Sequence, residues 1–225
     1  MENVCHRGIR QCGPRYSAAA DPGSGGYDRT GPDRARTFRQ KSCGDGERGM
    51  RQGEKDILLV AIEGRCGAGK TTLAARLQAG MDCSVIHMDH FFLRPEQRTR
   101  ERLEEPGGNV DYERVEKEVM YPLSQGRPFS YRPYDCRQQR LSEAVTVDPG
   151  AVVIVEGTYS CHPVLWNYYD LRLFLDVEPG EQIRRIRKRN GIRQSRVFRD
   201  RWIPLEEIYF AAYRLPERCD FCLPG

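Results

Sequence analysis

Residues 57–80 read Ile-Leu-Leu-Val-Ala-Ile-Glu-Gly-Arg-Cys-Gly-Ala-Gly-Lys-Thr-Thr-Leu-Ala-Ala-Arg-Leu-Gln-Ala-Gly. Within this stretch, Gly64–Thr71 fits the pattern G-x-x-x-x-G-K-[ST]. Ahead of it, the apolar run Ile57–Ile62 is long enough for a buried strand. Behind it, 72–79 carries Leu73 and Leu77 on one helical face, and Gly80 provides a stop. Strand, Gly-rich loop and helix in that order are what the motif requires. Gly64, Gly67 and Gly69 let the backbone turn tightly and approach a ligand closely. The freed N–H groups and the helix N-terminus then face one point and favour an anion. Arg65, Cys66, Ala68 and Thr72 complete the loop. Lys70 is placed to reach β- and γ-phosphates, and the Thr71 hydroxyl to ligate Mg²⁺. The expected ligand is a nucleoside triphosphate, ATP or GTP, with Mg²⁺.

The 225 residues suffice for one α/β domain with a full core. Apolar runs fall short of a membrane span, and the N-terminus lacks the apolar core of a secretory signal. Nine scattered cysteines, an odd number, read as reduced cytoplasmic thiols. Cys219-Asp220-Phe221-Cys222 has no second Cys/His pair at metal spacing and reads as part of a terminal strand. The net charge is +4, and residues 1–50 hold eight Arg and one Lys against six acids. Most of the excess therefore sits in that segment, which leaves little for a nucleic-acid surface elsewhere.

Residues 1–54 are rich in Gly, Arg, Pro and Ser, without apolar periodicity, and read as a disordered tail. A basic arm touching RNA and a start codon placed upstream of the biological one are the other readings. From residue 55 to 225 strands and helices alternate. Cys83–Met88 is a second strand. Residues 93–110 form a polar loop partly covering the site. A helix runs from Asp111 to Leu123, and Phe129–Tyr134 pairs with Ala144–Val147 as a small β excursion. Ala151–Val155 and Leu171–Val177 are central strands. Glu181–Asn190 is a very basic helix, Leu205–Leu215 is the last helix, and Cys219–Leu223 is a fifth strand. The fold class is three-layer α/β with about five parallel strands.

In such sheets ligands bind beyond the carboxyl ends of the strands. The phosphate loop follows the first strand, Asp89 the second, and Glu156 the third. Two carboxylates converging on phosphates suit phosphoryl transfer. Asp89 serves as the base that orients the attacking hydroxyl, and Glu156 stands on the metal side with Thr71. An Asp with an ordinary pKa near 3.9 is a weak base for an alcohol. It suffices where the transition state is loose and the protein supplies position and charge. Between Glu181 and Arg201 lie nine Arg and Lys against two acids. A lid over phosphates would use several of them. Arg185 and Arg189, at i, i+4, share a face, and Arg193 follows in the next turn. Binding of RNA phosphates is the competing use.

The order of these motifs resembles the uridine kinase family of P-loop nucleoside kinases, over about Asp56–Gly225. The resemblance rests on the loop, Asp89-His90-Phe91-Phe92, Asn109-Val110-Asp111, Tyr134-Asp135, Val155-Glu156-Gly157, the Arg-rich lid, and Arg201–Pro204 through Tyr209–Tyr213. It implies that Asp89 acts on a nucleoside 5′-hydroxyl and that Asp111 holds ribose hydroxyls. It further implies that Tyr134 lines the base pocket and that the lid arginines clamp phosphates. Asp111 equally fits a helix N-cap, and Tyr134 equally fits packing in the β excursion. Members that select pyrimidines often place a His a few residues after Tyr-Asp, where this chain has Cys136-Arg137-Gln138-Gln139. His162 is a spare substrate candidate, with a structural role as its alternative. The implied activity is ATP- or GTP-dependent phosphorylation of uridine or cytidine. Another small alcohol (nicotinamide riboside, pantothenate or a sugar) is the nearest alternative. A nucleotide-binding regulatory or RNA-associated protein is the alternative from another class. The expected partner is a small molecule, with no membrane or nucleic acid, and a homo-oligomer is compatible with the sequence.

Overall fold

The apolar run after residue 57 forms strand β1 (Leu58–Gly64), and its alternate residues face two different cores. Leu59 and Ala61 join one buried cluster, Val60 and Ile62 another. A strand covered on both faces needs no polar alternation, which explains the unbroken apolar run. The structure, a computed structural model, describes residues 57–225. The tail expected over 1–54, and the domain boundary after it, lie outside the described residues.

The phosphate loop leads from β1 into helix α1 (Lys70–Gly80), then strand β2 (Cys83–His87) and a 3₁₀ turn, Met88–Phe91. A second 3₁₀ turn, Pro95–Gln97, precedes the short helix α2 (Arg100–Glu104). Helices α3 (Tyr112–Val115) and α4 (Tyr121–Ser124) are joined by a π-helical turn, Glu116–Met120. Four short strands follow: β3 (Phe129–Tyr131), β4 (Tyr134–Asp135), β5 (Arg140–Leu141) and β6 (Val145–Val147). β3 pairs with β6, and β4 with β5, both antiparallel. Strands β7 (Val152–Glu156) and β8 (Leu171–Asp176) come next, then helix α5 (Pro179–Val197). A π-helical turn, Phe198–Trp202, leads to α6 (Ile203–Tyr213), α7 (Leu215–Arg218) and strand β9 (Phe221–Pro224).

The main sheet has the order β2-β7-β1-β8-β9, all parallel. On one face, Leu59, Ala61, Val153, Val155 and Phe174 pack against Val115, Val119, Met120 and Leu123, with Tyr209 and Phe210 of α6. On the other, Val60, Ile62, Ile154 and Leu175 pack against Ala74, with Leu73 and Leu77 beside it. Each fully buried Ile or Phe contributes roughly 1.5–3 kcal/mol. The expected three layers, five parallel strands and β excursion are all present.

In the β excursion only 129–131 pairs with 145–147 as expected, while Tyr134 pairs with Leu141 in the separate β4–β5 hairpin. Two helical segments also differ from the sequence reading. Within 93–110, expected as loop, Thr99 accepts from the Arg102 N–H at 3.2 Å and starts α2, and the Arg100–Glu104 pair spans it. The prolines and glycines around this segment mask a real N-cap. The basic helix, expected over 181–190, starts earlier, because Glu178 caps it by accepting from the Glu181 N–H at 2.9 Å. It also resumes beyond Asn190 after a break at Gly191 (φ 79°, ψ 169°). The break takes Arg193 off the continuous helical face that carries Arg185 and Arg189.

Gly64 has φ 137°, and a Cβ there would lie 2.1 Å from the Leu175 carbonyl oxygen of β8. We expect Gly64→Ala to cost about 3 kcal/mol or more through overpacking and positive-φ strain. Urea unfolding measures this, and a loss below about 1 kcal/mol would contradict the packing described.

Candidate active site

The carboxyl ends of the three strands β2, β7 and β1 form the floor of the site. Register sets Ile62 opposite Glu156, and Glu156 opposite His87. The phosphate loop leaves β1 beyond that level, and the turn after β2 carries Asp89. Thr71 Oγ1 donates to Glu156 Oε1 at 3.1 Å, and His87 Nδ1 lies 2.5 Å from the same oxygen. Lys70 Nζ donates to the carbonyls of Gly64 (2.6 Å) and Arg65 (2.9 Å) and to Thr158 Oγ1 (3.1 Å). Gly64, Gly67 and Gly69 all have positive φ (137°, 79° and 96°).

The electrostatics follow from crowding. Asp89 is open to solvent, but protein surrounds it on its other sides. That desolvation first, and the Glu156 charge second, raise its pKa above the ordinary carboxylate value. Lys70, His87 and Arg189 pull it back. The hydrogen bond to Glu156 raises the pKa of His87. Burial lowers that of His90 to about 4, and its Nδ1 lies 3.1 Å from the Tyr131 hydroxyl. The structure therefore gathers Asp89, Glu156, Lys70 and Thr71 at one edge and brings the charge of Arg189 to bear on Asp89.

Other predicted residues brace the loop. Gln182 Nε2 donates to the Cys66 carbonyl (3.0 Å), and the Cys66 N–H donates to Glu206 Oε2 (3.0 Å). Burial, and then Glu206, push the Cys66 thiol well above its usual pKa, which keeps it an inert packing group. Arg65 turns away from the phosphate-facing side. It bonds Asp176 at 2.7 Å, pairs with Glu207 and lies over the Phe210 ring. Arg185 pairs with Glu181 at 2.6 Å and reaches the Gly67 carbonyl at 3.3 Å. It holds the loop from outside. Thr72 and Arg193 are exposed, and Ala68 is buried within the loop's own turn.

The substrate candidates are dispersed. Asp111 Oδ1 accepts from the Arg114 N–H (3.2 Å) as an N-cap, and its Oδ2 accepts from Gln97 Nε2 (2.7 Å). With Leu93, Gln97, Arg102 and Glu113, it lines a cleft of about 420 Å³. Tyr134 is buried in the β4–β5 hairpin. In that hairpin the Gln138 oxygen accepts from Arg140 Nε at 2.6 Å, an internal use of the residue at the departure from the uridine kinase pattern. His162 is packed in an aromatic cluster, stacked on Tyr112 (3.9 Å, 14°) with Tyr213 edge-on at 6.2 Å. Burial, then the Arg102 charge, lower its pKa to about 4. Its contacts are with that cluster, not with the Asp89–Glu156 edge.

Sequence reasoning missed several residues. The fully buried Glu63 accepts from the N–H groups of Gly64 (2.9 Å), Tyr159 (3.1 Å) and Cys161 (2.9 Å) and from the Tyr209 hydroxyl (3.0 Å). Burial outweighs these bonds and raises its pKa to about 7. A lone acid inside an apolar strand run was the available signal. Glu206, beside Glu207 in α6, is not isolated in this way and offered no such cue. His87 and Thr158 carried no pattern of their own.

Sheet order, phosphate loop and edge carboxylates together define a P-loop kinase fold. No protein-family model matches the chain. In sequence it is similar to uridine-cytidine kinase C of Dictyostelium discoideum, 26% identical over 129 residues, or 55% of this chain and 28% of the relative. It is also similar to the uridine kinase of Deinococcus deserti, 27% identical over 135 residues, or 53% of this chain and 62% of the relative. The matched stretch thus spans under two thirds of each curated relative. In fold it is similar to the structure of a possible uridine kinase from Bacillus stearothermophilus, with a TM-score of 0.56 at 19% identity, covering 76% of this chain and 90% of that one. The chain is therefore uridine-kinase-like, on a P-loop kinase fold.

The aromatic setting of His162 has a measurable consequence. Its pKa is about 4 folded against 6.5 for the free side chain. Between those values the unfolded chain binds the extra proton, so this group's contribution to stability falls as pH falls through the window. We expect the stability of His162→Phe relative to wild type to improve by about 2.5 kcal/mol between pH 7 and pH 4.5. Urea titrations at the two pH values measure it, and a pH-independent difference would contradict the assignment.

Proposed function

We propose that the protein transfers the γ-phosphoryl group of ATP or GTP to the primary (5′) hydroxyl of a nucleoside, with uridine or cytidine first. The observation that carries the reading is the Asp89–Glu156–Lys70–Thr71 cluster on one sheet edge, beside a loop shaped for phosphates. The sequence similarity to uridine kinases supports it.

In this reading the loop amides and Lys70 bind the phosphates. The three acceptors that Lys70 now uses are the contacts it would exchange for phosphate oxygens. Asp89 orients the acceptor hydroxyl and takes its proton late in the transfer. Its raised pKa makes it a better base than a free Asp. Arg189, whose charge already reaches Asp89, would compensate charge on the transferred group, with Arg185 bracing the loop. The Thr71 hydroxyl and the Glu156 carboxylate are hard oxygen donors that meet at 3.1 Å. That donor set suits Mg²⁺, which takes few protein ligands beside phosphates and water. Mg²⁺ would supply charge neutralisation on the phosphates, and His87 would keep the Glu156 carboxylate oriented. Asp111 and Tyr134 remain the proposed acceptor contacts, with His162 the weakest of the three because its ring is taken up by Tyr112 and Tyr213.

A second reading, another small alcohol as acceptor, is favoured by one observation: Gln138, in the stretch that would read a pyrimidine, is bonded to Arg140. We further place the protein in the cytoplasm, acting on small molecules. No helix among the described residues is long and apolar enough to cross a membrane.

The test is ADP release across a panel of nucleosides and small alcohols. Uridine or cytidine should stimulate release, and Asp89→Asn should lower it by about 10²-fold or more while nucleotide binding survives. If Asp89→Asn turns over the preferred acceptor normally, Asp89 is not the base. If release responds only to another small alcohol such as nicotinamide riboside, pantothenate or a sugar, the second reading replaces the first.

A further inference from the structure

Glu63 takes no part in the chemistry above, yet four donors from three parts of the chain converge on it. One is the amide of Gly64, the first residue of the phosphate loop. The Gly64 carbonyl in turn accepts from Lys70 and from the Thr158 hydroxyl. The other three come from Tyr159, Cys161 and Tyr209.

Tyr159 and Tyr209 are the platform on which the Gly107–Asp111 segment rests. Their rings lie 4.9 Å apart. The Asn109 side chain hydrogen-bonds Tyr159. Gly107 approaches the Tyr209 ring so closely that a Cβ would fall 2.9 Å from it. Two residues after Asn109 stands Asp111, at the cleft described above. Tyr159 itself is held at φ 80°. A bulky residue at positive φ is an outlier that persists only where its surroundings over-determine it. Here its amide is fixed by Glu63, its neighbour Thr158 by Lys70 and Gly64, and its ring by Tyr209.

We propose that Glu63, Tyr159 and Tyr209 are positioning residues that tie the phosphate loop to the Gly107–Asp111 segment, so that a nucleotide on the loop orders the segment that receives the acceptor. The proposal rests on the reading that the loop takes a nucleotide. On that reading Lys70 would give up the Gly64 carbonyl for phosphate oxygens, which frees or resets the Gly64 peptide. The Gly64 peptide is shared with Glu63, and Glu63 holds both tyrosines beneath the segment. Coupling of this kind needs two sites and a shared, over-determined element between them. The contacts of the two tyrosines run to Glu63, Asn109 and Gly107, so their effect is on order rather than on the reacting atoms.

The experiment is hydrogen exchange of the full chain with and without ADP, read at the amides of residues 107–111, beside ADP affinity by calorimetry. In wild type, ADP should slow exchange there by about tenfold, a normal coupling magnitude. Tyr209→Phe removes only the hydroxyl donor to Glu63, and Tyr159→Phe only the hydroxyl facing Asn109. Each should bind ADP within about twofold of wild type and lose most of the slowing. A purely structural role would instead raise exchange equally with and without ADP. That result overturns the proposal, as does an undiminished response in both variants. If ADP binds wild type without slowing these amides, the coupling fails while the functional reading stands. If ADP does not bind at all, the reading fails and takes the coupling with it. Should either variant not fold, the wild-type response and the other variant decide.

Discussion

A single carboxylate with no exposed surface governs how this site is assembled. Glu63 sits where β1 ends, and it is the place at which the phosphate loop, the segment after β7 and helix α6 share one acceptor. Leaving four donors unsatisfied in the interior would cost several kcal/mol, so these three pieces of chain cannot drift apart independently. The balance is close. Burial favours the neutral acid and the donors favour the anion, which leaves its pKa at about 7. A group so placed organises the site without touching a ligand.

Insertion of β7 between β1 and β2 does the rest. It sets His87, Glu156 and the start of the loop at one level, so residues far apart in sequence act as neighbours. Parallel pairing makes this possible, because all strands of the sheet end on the same edge and each following turn begins there. Asp89, Thr71 and Lys70 then need only short connections to meet. The loop is also held from its far side, where α5 and α6 supply Gln182, Arg185 and Glu206.

Much of this was legible in the sequence. Gly64–Thr71 with its flanking apolar run and helix reads correctly because steric and hydrogen-bond demands act within a few residues. The strand ends, expected at Met88 and Val155, are equally local and fall within one residue of the observed His87 and Glu156. The roles of Glu63, Glu206 and His87 were not legible, since they are set by partners that folding brings from over sixty residues away, such as Tyr159, Cys66 and Glu156. Thr99 was legible and overlooked among prolines and glycines. For the acceptor residues the difficulty is different. Asp111 as an N-cap and as a hydroxyl ligand makes the same demand on sequence, an oxygen acceptor ahead of a helix, and the structure shows the cap.

The basic segment carries one more implication. Ile186 and Phe198 belong to one apolar cluster with Cys66, so the chain between them is an arch with both feet on the phosphate loop and Gly191 near its crown. Bringing several cations round an anion ordinarily costs the entropy of gathering them. In an arch, much of that loop-closure entropy is already lost when the protein folds. What remains on binding is the ordering of individual side chains, about 0.5–1.5 kcal/mol each. The arch therefore preorganises positive charge near the loop without requiring any single arginine to be buried.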